Sequence, residues 1–92
     1  MFAVHLNLLD VSTAPTGGAG AGAADVQGAL WARAVPGDGL EHVRARSVPG
    51  GVGLVLYVRA PHREAAELRA YALLDRALAE GPARRYAVAA PP

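Results

Sequence analysis

Leu40-Glu41-His42-Val43-Arg44-Ala45-Arg46-Ser47-Val48-Pro49-Gly50-Gly51-Val52-Gly53-Leu54-Val55-Leu56-Tyr57-Val58-Arg59-Ala60 is the stretch that decides how this chain folds. Apolar and polar side chains alternate on both sides of Pro49-Gly50-Gly51, as strands with one covered face require. Proline presets the first turn position and glycine accepts the positive φ of a type II turn, so residues 40–48 and 52–60 should pair as an antiparallel hairpin. A period of two sends Val43, Ala45, Leu54, Leu56 and Val58 to one side. His42, Arg44, Arg46, Val55, Tyr57 and Arg59 go to the other.

Toward the N-terminus, Pro36-Gly37-Asp38-Gly39 reads as a turn, preceded by a short helix over residues 25–34 that Asp25 can cap and Gly28 weakens. Residues at about 11–24 form a Gly/Ala-rich, low-complexity stretch expected to be a loop. Before it, Phe2, Val4, Leu6 and Leu8 alternate with Ala3, His5, Asn7 and Leu9, a strand pattern. Toward the C-terminus, Pro61 suits the first position of a long helix. Its inward stripe is Ala66, Ala70, Leu73, Leu74, Ala77 and Leu78, with Tyr71 at the edge. Gly81-Pro82 stops that helix, and residues 85–90 alternate as a last strand. This element order resembles the ferredoxin-like βαββαβ plan: an α+β domain over residues 1–92, with a four-stranded antiparallel sheet and two helices on one face. In that plan strands one and three are central.

At 92 residues the chain can build one core, and a domain of this size buries only about 60 to 65% of its unfolded surface. Of the 52% hydrophobic residues, 21 are alanine and 27 are larger, so the core is thin and association could supply what the monomer lacks. Nine Arg and no Lys balance four Asp and four Glu. The net charge of +1 is too small for a whole-molecule field that attracts nucleic acid or an anionic membrane. Absence of Lys, Ile and Cys beside abundant Ala, Gly, Arg and Val reads as the codon bias of a GC-rich genome. Lack of cysteine excludes disulfides, thiolate metal sites and a cysteine nucleophile. No signal peptide and no long apolar run is visible, so a soluble cytoplasmic protein is expected.

Gly18-Ala19-Gly20-Ala21-Gly22-Ala23 matches G-x-G-x-x-A, but it lies about eight residues beyond the first strand in a chain too short for a doubly wound sheet. It reads as a linker. Val26-Gln27-Gly28, then Trp31, Arg33 and Asp38-Gly39, resembles the acylphosphatase signature, in which an Arg cradles phosphate. Arg33 stands one residue late, and Asn7, the only Asn, lies on strand one instead of at the family's water-positioning place. His5, His42 and His62 lack metal-ligand spacing, and the serines and threonines lack a partnered base. No catalytic residue, metal or cofactor is therefore assigned, and Trp31 is expected to plug the core.

The face opposite the helices carries the site expectation. His5, Asn7 and Leu9 should join Val55, Tyr57 and Arg59 there, with His42, Arg44 and Arg46 from strand two. Apolar anchors amid cationic and polar groups are the composition of an interface. The expected role is a non-enzymatic association module that homodimerises, or binds a protein partner, through this face. One alternative is an enzyme or sensor with a pocket between two sheets, as in dimeric α+β barrels, in which His5, His42 and Tyr57 supply the polar groups. The layout is similar to the ACT-type ligand-binding domains, with Asp10 and the glycines falling where that family meets an amino acid. Another alternative is an RNA-recognition-motif-like surface, in which Tyr57 and His5 would stack bases and Arg44, Arg46 and Arg59 would contact phosphates.

Overall fold

A computed structural model of the chain describes residues 1–11, 19–79 and 81–89; at 19–21 and 82 only the backbone is described. Strand β1 (Phe2–Asp10) leads to helix α1 (Ala19–Arg33), and a 3-10 turn at Pro36–Asp38 precedes β2 (Leu40–Val48). After the hairpin come β3 (Gly51–Val58) and helix α2 (Arg63–Ala77). A second 3-10 turn at Pro82–Arg85 then leads into β4 (Tyr86–Val88). The result is an α+β fold, a four-stranded antiparallel sheet in the order β2-β3-β1-β4 with two helices.

Gly50 adopts φ +79° between Pro49 and the first residue of β3, which fixes the hairpin register at Val48 opposite Gly51. Eight residue pairs join β1 to β3, from Phe2 opposite Val58 to Leu9 opposite Gly51. β4 pairs with β1 only at Leu8, Leu9 and Asp10. Period two then sorts the side chains. Val4, Leu6 and Leu8 of β1, Val43 of β2, and Val52, Leu54, Leu56 and Val58 of β3 are buried in one cluster. Val26 and Leu30 of α1 and Ala66, Ala70, Leu73, Leu74 and Ala77 of α2 complete it, so both helices cover the same face. Small alanines on α2 let its axis lie close to the sheet.

Three sequence expectations are corrected. The Gly/Ala-rich stretch expected as a loop over about 11–24 is helical from residue 19, six residues ahead of the expected cap at Asp25; residues 12–18 lie outside the described residues. Alanine is the best helix former, and Gly22 has a packing reason: an added Cβ there would collide with the hydroxyl of the buried Tyr86. Trp31 is no core plug. It is 44% exposed, because it lies about 100° around the helix from the fully buried Leu30. Helix α2 begins at Arg63 instead of Pro61, since His62 is its N-cap and the Nδ1 atom accepts the Ala65 N–H at 3.2 Å.

Two ion pairs close the ends of the fold. Asp38 is the one buried polar or charged side chain among the described residues, and it accepts the Val35 N–H at 2.9 Å and the Arg76 guanidinium at 2.6 Å. Burial acts to raise its pKa, but the Val35 hydrogen bond, then the hydrogen bond and charge of Arg76 and the charge of Arg69, hold it below the ordinary aspartate value. At the opposite end Arg85 donates to Asp10, with Nε at 3.1 Å, and its guanidinium lies 5.3 Å from the Tyr86 ring centroid. The Asp10 hydrogen bond raises the Arg85 pKa.

Candidate functional site: the open sheet face

One layer of helices, about 10 Å in diameter, on one sheet accounts for the 18 Å thickness of the molecule. The second face of the sheet therefore has no layer over it among the described residues. Strand register arranges its side chains in rows across the strands. Arg46 of β2, Gly53 of β3 and Asn7 of β1 form one row; Arg44, Val55 and His5 form the next; His42, Tyr57 and Ala3 form the third. At the turn end Val48, Gly51, Leu9 and Ala87 complete the set.

His5, Asn7, His42, Arg44, Arg46 and Arg59 are exposed, and Leu9 is 52% exposed. Val55 and Tyr57 are half-buried. The structure thus brings the nine residues singled out in the sequence onto one face, although Arg59 stands at its margin. Beyond the end of β3, Arg59 pairs with Glu41 Oε1 at 2.6 Å, beside an irregularity in β2 between Leu40 and His42. The His42 and Tyr57 rings meet at 5.8 Å between centroids, tilted by 39°. Arg44 and Arg46 have no hydrogen-bond or ion-pair partner among the described residues.

A shallow hollow of about 610 Å³ opens in the middle of this face, lined by His5, Asn7, Arg44, Arg46, Val55 and Tyr57 around Gly53. Gly53 is the member of this site that the sequence expectation lacks. A glycine in the interior of an alternating strand was the signal, since glycine there marks a bulge or a close approach. Among the described residues no three His, Cys, Asp or Glu side chains come together as a metal site would require. No described helix is long and apolar enough to cross a membrane. Comparison with protein-family models, curated proteins and solved structures finds no match to the chain.

Proposed function

We propose that the chain is a small non-enzymatic association module that homodimerises through its open sheet face. The carrying observation is that face itself: uncovered, yet presenting Leu9, Val55 and Tyr57 among polar side chains. Three strands of eight or nine residues and the three-residue β4, at about 4.8 Å between strands and about 3.3 Å along them, give roughly 450 Å² of footprint per copy. A pair would bury about 900 Å², the size of weak, transient contacts, so weak association is expected. A two-fold contact would use the same patch twice, with Tyr57 and Leu9 as anchors and the cationic residues around them.

β3 lies between the parallel strands β1 and β2, and β1 lies between β3 and β4. That order supports the ferredoxin-like reading of the fold. The second reading, a ligand pocket between paired sheets, draws support from the hollow around Gly53. Sedimentation equilibrium of the wild type beside Tyr57→Glu tests the dimer, with circular dichroism confirming that both are folded. Wild-type association weakened at least a hundredfold by the buried glutamate is the expected result. A wild type that is monomeric throughout, or a Tyr57→Glu dimer of unchanged strength, overturns the reading.

A further inference from the structure

β3 carries two glycines on the open face, and only one is required by the chain's own packing. At Gly51 an added Cβ would collide with the Leu8 carbonyl oxygen of the neighbouring strand. At Gly53 it would meet Val48 Cγ1 at 3.7 Å and both Arg46 Cγ and Asn7 Oδ1 at 3.9 Å, which are ordinary contacts. The Gly53 φ lies outside the left-handed region, so no backbone reason holds glycine there either. Glycine weakens a strand interior, and its use without a local cause fits close approach by something from outside.

The surroundings of Gly53 say what kind of group would approach. Arg59, Arg76 and Arg85 each face a carboxylate. Arg44 and Arg46, two residues apart on one face, have no partner among the described residues and flank the hollow of about 610 Å³. Two planar guanidinium forks and the Asn7 amide offer N–H donors to an oxyanion. Glu41, a carboxylate beside this face among the described residues, is taken by Arg59. Face-to-face pairing would bring four such guanidiniums together with no acid to balance them, and like charges across an interface oppose association.

We propose that the hollow over Gly53 binds a small oxyanion carrying two or more negative charges, held by Arg44, Arg46 and the Asn7 amide between the two copies of the dimer. This rests on the dimer reading above. The anion supplies the missing counter-charge, so dimerisation and anion binding strengthen each other to the same degree. Carboxylate and phosphate groups share this chemistry, and two probes separate them.

Sedimentation equilibrium in citrate, inorganic phosphate and chloride at one ionic strength tests the site on wild type, Arg44→Gln/Arg46→Gln and Gly53→Val. The double variant removes the forks, and the added valine fills the hollow while leaving them in place. Citrate or phosphate should tighten the wild-type dimer at least tenfold over chloride, the stronger probe naming the preferred group. Both variants should lose that dependence, and Arg84→Gln, the loss of one charge at an exposed position away from the face, should keep it. A dimer equally tight in all three salts overturns the anion site and leaves the dimer standing. A monomer that gives no heat with citrate in calorimetric titration overturns both. A monomer that binds citrate through Arg44 and Arg46 overturns the dimer and supports the anion site alone.

Discussion

The two faces of this sheet are made by the same strands at alternate positions, yet they answer to different physics. On the covered face Leu56 of β3 lies between Val4 of β1 and Val43 of β2, and all three are sealed beneath α1 and α2. On the open face Val55, one residue earlier, lies between His5 and Arg44 and stays half-exposed. Volume governs the first, because close-packed interiors tolerate neither voids nor unpaired charge. Charge and empty space govern the second, which leaves it free to change without loss of the fold.

The sharpest way to break that contrast is Leu56→Ala, which should cost about 3 kcal/mol by urea unfolding because it empties a sealed site. Arg44→Gln, across the same sheet, should stay within about 0.5 kcal/mol of wild type. Comparable losses from both would mean that the faces do not differ. The two glycines of β3 sharpen the contrast on the open side alone. Gly51→Ala should lose about 2 kcal/mol, since the Leu8 backbone it meets cannot step aside. Gly53→Ala should gain about 0.5 kcal/mol by restricting the unfolded chain.

A different test concerns the one charge buried among the described residues. Asp38→Asn should cost about 1 kcal/mol at pH 7, discounted because its partner Arg76 is 43% exposed at the side chain. A carboxylate whose folded pKa is depressed stabilises above the unfolded value and ceases to do so as pH falls through the folded one. The difference between Asp38→Asn and wild type should therefore be full above about pH 4 and shrink below it. A gap that stays constant from pH 7 to pH 2 would refute the role given to that carboxylate.

Local rules carried most of the sheet. The Pro49-Gly50 turn pins the hairpin register, and register plus alternation placed Val4, Leu6, Leu54 and Leu56 inside and His5, Asn7 and Tyr57 outside. The inward stripe of α2 was equally legible, because its period of 3.6 is written in alanines and leucines against charged neighbours. The extent of α1 was not, since glycine penalties suggest a loop until Tyr86, far along the chain, is seen against Gly22. Neither clasp has a local signature: Arg76 reaches Asp38 across 38 positions and Arg85 reaches Asp10 across 75. In the site, the side chains were legible and the hollow was not, because an absent side chain matters only once its neighbours across the strands are known.

The borders of the sheet have a consequence for how large any assembly can grow. β2, the long outer strand, is interrupted between Leu40 and His42 and lined with arginines, while the opposite border is a three-residue strand. Where β1 extends past that short strand, Arg63 lies over Phe2, 5.4 Å from the ring centroid, and donates to the Ala3 carbonyl at 3.3 Å. Irregular, charged and occupied rims discourage lateral strand addition, the route by which sheets propagate into fibrils. Contact through the flat side alone terminates after a single partner, so the pairing proposed above would stop at two copies.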